Sequence, residues 1–429
     1  MLPYAVVAVF AVSYILIATE KVNRVAAALA GVAGLTLLGV VKADTAFFNQ
    51  HTGVDWNVVF LLFGMMVIVS VLTHTGLFEC IALWAARTSR GRPMRLMVLL
   101  MLVTAVFSPM VDNVTTALLV TPVALAVTGR LGLSPRPYLI AIILAANIGG
   151  TSTLIGDPPN IIIASRAGLS FDDFLVHALP LTVIEFFVLV GLLRLLFFKH
   201  LRRRPDAVEL QELNPLEAVR NPALLVRCLV VLGLLMVAFS LHAWWHLEPS
   251  IIAMLGAGAM VIVSRTTPRQ FLGDVEWSTL AFFMALFVLV GGLVQVGVID
   301  RAGQWAAQMM GGDELLGVTG LLFGSAVVGA FVDNIPYTTA MAPIVEEMVM
   351  STAHSGSESP LWWAFVFGAD LGGNTTAVAA GANVVVLGIA AKAGRPISFW
   401  QFTRFGLVAV VVTMAVAWVY CWLRYFVWA

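Results

Sequence analysis

The sequence predicts an all-α polytopic membrane protein made of two inverted-topology repeats. Each repeat holds five transmembrane helices plus one re-entrant helical hairpin, with broken helices at the midplane. Three observations lead there. The chain is 60% hydrophobic and only 11% charged, with a mean hydropathy of +0.95, more apolar surface than a water-soluble domain can hide. Apolar runs of roughly 20 residues recur along its whole length. Third, Val111-Asp112-Asn113 returns as Val332-Asp333-Asn334, 221 residues further on.

The elements follow in order. Leu2–Thr19 is an apolar run without a basic leader or cleavage site, so it reads as a first span rather than a signal peptide. Val25–Val41 and Trp56–Thr73 are further spans, and the amphipathic Phe78–Ala86 follows. Leu96–Thr128 is too long for one helix and is interrupted by Ser108-Pro109 and by Asp112-Asn113-Val114-Thr115-Thr116. That is the pattern of a hairpin of two half-helices with a polar tip. Tyr138–Ala164 is broken at Asn147-Ile-Gly-Gly-Thr-Ser-Thr153 and Gly156-Asp-Pro-Pro-Asn160, and Phe171–Phe198 closes the half. The second half offers Ala223–Leu241, Ile251–Ser264 and Trp277–Val298, then a hairpin over Leu316–Met350. Leu361–Ala390 is broken at Asp370-Leu-Gly-Gly-Asn-Thr-Thr376, and Phe402–Val427 is the last span.

Further anchors keep the same order. Val54-Asp55-Trp56 matches Val275-Glu276-Trp277 at an offset of 221, and Ala146–Thr153 matches Ala369–Thr376 at 223, which sets Asn160 opposite Asn383. Matched anchors in one order are the mark of an internal duplication. An odd number of spans per copy turns the second copy upside down. The basic residues agree under the positive-inside bias. Arg87, Arg90, Arg92 and Arg95 precede the first hairpin, and Arg130 and Arg136 follow it. The matching loops of the second half carry Asp300, Arg301, Asp313 and Glu314, then no Lys or Arg from 351 to 360. With Lys199-His-Leu-Arg-Arg-Arg204, Arg265, Arg269, Lys392 and Arg395 inside, the central linker is cytoplasmic and both termini lie on the outer side of the cell (inner) membrane. Linker residues 199–221 read as a tether between the halves.

An ionisable group at membrane depth costs at least a few kcal/mol, so each is a functional candidate. Asp112 and Asp333 mark the hairpin tips, and Asp370 stands where the first copy has Asn147. Buried carboxyls favour the neutral form and can carry a proton, which makes Asp333 and Asp370 the preferred coupling residues, then Asp112. Asp157, before Pro158-Pro159, is either a helix cap or a coupling group, with Asn160 beside it. Half-helix N-termini and freed carbonyls suit small polar cargo. The candidate binding set is therefore Asp112, Asn113, Thr115, Thr116, Asn147, Gly149, Gly150, Thr151, Asn334, Gly372, Gly373, Asn374 and Thr375. The glycine pairs permit φ > 0 and close backbone approach, although such pairs often serve only tight packing.

Other chemistry is excluded. Cys80, Cys228 and Cys421 are too scattered for a disulfide framework or a metal site. His177, the one histidine read as lying within a span, fits a structural hydrogen bond better than a proton relay. No nucleophile–base pair, metal cluster, cofactor motif or P-loop is visible, and the balance of 24 basic and 24 acidic residues gives no nucleic-acid signature. A nucleotide-driven mode would need a separate ATPase subunit.

Together, Asp112–Thr116, Gly149–Asn160, Asp333–Pro336 and Leu371–Thr376 resemble the ion transporter superfamily. Within it the chain is similar to the branch of arsenite permeases (ArsB-type), the melanosomal P protein and NhaD-type sodium/proton antiporters. The resemblance covers Leu2 to Trp428. It implies a homodimer in which hairpin-bearing elements move as an elevator against a fixed scaffold. On that reading 1–198 is the first repeat, with scaffold helices 1–90 and transport elements 95–198. Residues 222–429 form the second, with scaffold helices 222–298 and transport elements 316–429. It also carries the tip roles to Asp112–Thr116 and Asp333-Asn334, and the broken-helix roles to Asn147, Gly149–Thr153, Asp370 and Gly372–Thr376. Pro336-Tyr337 replace Thr115-Thr116 at the second tip, so a lopsided site is expected.

Among small inorganic substrates, arsenite exchanged for protons fits this hydroxyl- and amide-rich set best, and antimonite with it. A Na⁺/H⁺ antiporter is the alternative, since the same oxygens would hold Na⁺. A dicarboxylate or other anion carrier comes third, because no Arg or Lys stands beside any of the four breaks in the sequence.

Overall fold

The computed structural model describes residues 2–19, 22–49, 52–202 and 214–428; the middle of the tether, 203–213, lies outside them. Every regular element among these residues is helical. Among the described residues, seven helices are long and apolar enough to cross a membrane: Leu2–Thr19, Trp56–His74, Pro93–Val111, Leu179–Leu196, Pro222–Trp245, Trp277–Gln295 and Phe399–Val427. Arg24–Leu37 and Pro249–Ser264, expected as spans, have 14 and 16 residues. At about 1.5 Å per residue they fall short of a 30 Å apolar layer.

Local chemistry sets the boundaries. Asn23 and Asp55 accept backbone N–H groups at the starts of Arg24–Leu37 and Trp56–His74. Proline opens Pro93–Val111, Pro222–Trp245, Pro249–Ser264 and Pro360–Gly372, where its missing N–H costs nothing. Gly76 and Gly297 take φ of +78° and +68° at equivalent turns, leading into Leu77–Ser89 and Val298–Met310. The expected last span of the first half is divided into Phe171–His177 and Leu179–Leu196, because Pro180 starts a new helix at its second position. His177 therefore ends a short helix instead of lying within a span. Its Nδ1 meets the Tyr425 hydroxyl at 2.7 Å and its ring stacks on Trp363, a structural role.

Each stretch expected as a hairpin is divided into two helices at its polar break, Pro93–Val111 with Asn113–Arg130 and Glu314–Gly329 with Asn334–Met350, although Pro93–Val111 is long enough to cross a membrane and is no half-helix. Both broken helices are present, Arg136–Gly150 with Pro158–Ala167 and Pro360–Gly372 with Gly381–Lys392. Each hairpin's first arm packs along the first piece of its own broken helix. Each second arm packs instead on the second piece of the other half's broken helix. Four further helices cross over likewise, Arg24–Leu37 against Trp277–Gln295 and Pro249–Ser264 against Trp56–His74. The first pieces of the broken helices form the centre of the molecule: every residue from Pro137 to Gly150 and from Pro360 to Gly372 is buried. The peripheral Leu2–Thr19 and Pro222–Trp245 bury only three and four residues, as helices facing lipid do.

Candidate functional site

Two hairpin tips and two helix breaks meet in this centre, held by the same bonds twice. Asn113 N–H donates to Gly156 O at 3.1 Å, and Asn334 N–H donates to Ala379 O at 3.3 Å. Thr153 Oγ1 donates to Pro109 O at 2.6 Å, and Thr376 Oγ1 to Ala330 O at 2.8 Å. Breaking a helix frees carbonyls that must find donors. Asn160 and Asn383 supply them, each spanning its own break.

Amides link the halves. Asn147 Nδ2 donates to Asn374 Oδ1 at 2.9 Å and to Asn383 Oδ1 at 3.0 Å. Asn113 Nδ2 donates to Asn147 Oδ1 at 3.2 Å and also to the Asp157 carboxylate. Asp370 is fully buried beside Thr151 and Asn160, yet neither of its oxygens receives a well-formed hydrogen bond. Asn113 Oδ1, Asn160 Oδ1, Thr116 Oγ1 and Asn374 Nδ2 are likewise buried without partners. Most of these unpartnered atoms are hydrogen-bond acceptors, in a place where leaving them unmet is costly.

The hydroxyls add to that imbalance. Ser152 donates to Gly149 O and Thr375 to Gly372 O, so their protons are spent at the ends of their own helices, while Thr151 donates to Asn147 O at 3.1 Å beside Asp370. What Ser152 and Thr375 offer the centre is lone pairs.

The two tips differ. Asp112 adopts φ 135°, ψ 159°, a region nearly restricted to glycine and costing about 1–3 kcal/mol. The conformation lets its carboxylate take both the N–H and the hydroxyl of Thr115 at 2.7 Å. Asp333, at φ −51°, caps Ile335 N–H at 3.0 Å and faces Arg24 at 3.8 Å. Here the expectation that no basic residue stands near a break is corrected. Arg24 reaches the tip from a helix start in the other half, a proximity that no local pattern reveals. Arg166, on the second piece of the first broken helix, pairs with Glu346 of the second hairpin at 3.3 Å.

Two further expectations change. Asp157 occupies the cap position before Pro158, but its side chain makes no capping bond. Pro158 and Pro159 have no N–H to offer, and the Asn160 N–H goes to the Asp157 carbonyl at 3.0 Å. Its carboxylate turns to Asn113 instead. Gly149, Gly150, Gly372 and Gly373 do not use positive φ. They allow close approach: a Cβ on Gly149 would stand 2.8 Å from Ala105 Cα, and one on Gly372 2.8 Å from Ala326 Cα. Asn383, absent from the expected binding set, belongs to this centre, and its place opposite Asn160 was the available signal.

A cavity of about 860 Å³ reaches towards this region from one face. Asp55, Asn57, Glu248 and Ser250 line one side of it, Arg166 and Glu346 another. Ser165 Oγ donates to Asp55 at its edge.

Several known proteins of similar sequence or fold are named transporters. A citrate transporter (CitMHS) family model matches residues 14–368. An uncharacterized transporter of Mycobacterium tuberculosis is 48% identical over 423 residues, 98% of each chain. The human P protein is 32% identical over 492 aligned residues, 96% of this chain and 59% of that protein. Among solved structures, the YdaH transporter of Alcanivorax borkumensis has the same fold at a TM-score of 0.58 and 16% identity, over 86% of this chain and 85% of that one. MtrF of Neisseria gonorrhoeae gives 0.50 and 11%, over 88% and 82%.

Proposed function

Because the chain belongs to the citrate transporter family, a family of transporters and not of enzymes, we propose that it is a secondary transporter exchanging a small, uncharged, hydroxyl-rich solute for protons. Arsenite, the neutral trihydroxide at pH 7, is the leading candidate. The observation carrying this reading is the surplus of acceptors: both Asp370 oxygens, Asn113 Oδ1 and Asn160 Oδ1 are buried and unmet, against one unmet amide donor, Asn374 Nδ2, and the Thr116 hydroxyl, which can do either. A trihydroxide brings three O–H donors to such a centre. Free citrate brings negative charge to Asp157 and Asp370, while Arg24 and Arg166, at the edges of the site, are already paired with carboxylates. Citrate alone therefore ranks low as cargo, in spite of the family's name.

The same acceptor surplus supports a second reading, Na⁺ exchanged for protons, since a dehydrated cation also needs oxygens. Asp370 is the first candidate for the proton carrier, followed by Asp333. The paired bonds at offsets of 221 and 223 support two inverted repeats. In that arrangement the hairpins and broken helices, 95–198 and 316–429, move as an elevator against scaffold helices 1–90 and 222–298. The test is proton flux in proteoliposomes with arsenite, Na⁺ or citrate as the sole added solute. Flux with arsenite alone supports the proposal, flux with Na⁺ alone promotes the second reading, and flux with citrate alone defeats both.

A further inference from the structure

We infer that Arg24 is the counter-charge that receives the Asp333 carboxylate when the second hairpin tip is seated on the scaffold, so that seating obliges Asp333 to give up its proton. The inference rests on the elevator reading above, and it adds a coupling residue that lies outside the hairpins and breaks.

The tip is held by the first two helices of the chain. Tyr14 Oη donates to Pro336 O at 2.6 Å, with the Tyr14 ring stacked on Phe10. Arg24 sets its guanidinium 3.8 Å from Asp333 Oδ2 and 5.3 Å from the centre of the Phe282 ring. Phe282 belongs to Trp277–Gln295, which packs on Arg24–Leu37, so the cation is fixed from the scaffold side.

The first tip is built differently. Asp112 is bonded to Thr115 within its own hairpin. The asymmetry matters once the tips move. A hairpin that carries its own cap keeps it during travel. The second tip keeps its bond from Ile335 N–H to Asp333, but travel takes that carboxylate away from the Arg24 charge.

An opposite charge at this distance favours the ionised carboxylate, and an ionised carboxylate drawn away into an apolar layer is costly. Travel therefore requires a proton on Asp333. On return, the O–H bond of Asp333 breaks, the proton passes to water at the partly exposed tip, and Arg24 takes over the charge. No other bond changes.

The experiment uses proteoliposomes of the full chain, with arsenite and Na⁺ in parallel arms and proton flux and solute flux measured together. Arg24→Gln should lower proton release per solute moved about tenfold, within the usual range of coupling between two sites. Arg24→Lys keeps the charge and should retain most of it. Asp333→Asn should lower proton release per solute moved by about as much as Arg24→Gln does, and Arg24→Gln with Asp333→Asn should match Asp333→Asn alone, since no charge then needs balancing. Wild-type proton coupling in Arg24→Gln overturns the inference, as does a double variant that releases markedly less proton per solute than Asp333→Asn alone. Cysteines at Tyr14 and Pro336 joined by a short bifunctional reagent report separately on movement. If the joined protein transports normally, the elevator reading fails and takes the inference with it; if it is blocked, the Arg24 results stand on their own.

Discussion

Asn160 and Asn383 hold the same station in the two halves. Asn160 Nδ2 donates to Gly150 O at 3.2 Å and Thr153 O at 3.0 Å, and Asn383 Nδ2 to Gly373 O and Thr376 O, both at 2.7 Å. Each closes the gap where a helix stops inside the protein and its carbonyls have no helical partner. The two are not equal beyond that. Asn383 Oδ1 also accepts from Asn147, whereas Asn160 Oδ1 is unpartnered beside Asp370.

This asymmetry predicts different losses. Asn383→Ala removes three hydrogen bonds in a fully buried place and should cost about 1–3 kcal/mol for each group left unmet. Asn160→Ala removes two, and should cost less stability while still impairing transport. Thermal unfolding in detergent, compared with solute uptake in proteoliposomes, checks both. Equal unfolding temperatures for the two variants would remove the claimed difference.

The glycines give a second prediction. Gly149→Ala and Gly372→Ala each push a methyl against the backbone of the adjoining hairpin arm, at Ala105 and Ala326. Backbone cannot rotate away as a side chain can, so each change should cost about 1–3 kcal/mol. Gly388→Ala, where nothing stands within 4 Å of the new methyl, should be neutral. Chemical or thermal unfolding of the three variants side by side tests this. A neutral Gly372→Ala would show that the two helices are less tightly joined than the structure has them.

Much of the architecture was legible because polar breaks in apolar runs are rare and costly, so each carries information. Asp112-Asn113, Asn147–Thr153, Asp333-Asn334 and Asp370–Thr376 announced the hairpin tips and helix breaks by being where lipid forbids polar groups. Arg24, Tyr14 and Phe282 were not legible. Each is an ordinary residue locally and gains meaning only from a contact made across the halves. Of the two readings of Asp157, cap or coupling group, the cap fails for a reason already present in the chain, since two prolines in succession offer no N–H. The division between Phe171–His177 and Leu179–Leu196 turns on Pro180, which an apolar run conceals.

The inverted arrangement is tested by labelling. Ser134 follows the first hairpin and Ser355 the second, and both are exposed. In a cysteine-free background, Ser134→Cys should react with a membrane-impermeant maleimide only in inside-out vesicles, and Ser355→Cys only in whole cells. Labelling of both from one face would defeat the inverted repeat and the elevator built on it.

The last prediction separates the two central acids. Asp370 has no well-formed hydrogen bond to lose, so Asp370→Asn replaces a buried carboxyl by an amide of the same shape at little cost in stability. Asp157→Asn keeps an oxygen for Asn113 Nδ2, and it too should fold. Their effects on transport should differ. Without the Asp370 carboxyl the site has lost its unpartnered acid, and uptake should no longer respond to an imposed pH gradient. Asp157→Asn removes a carboxylate already bonded to Asn113 and should lower the apparent affinity for solute while retaining the response to pH. The check is initial uptake rate against solute concentration, with and without a gradient, for each variant. If Asp370→Asn keeps the full response and Asp157→Asn loses it, the proton resides on Asp157 and the two acids exchange roles.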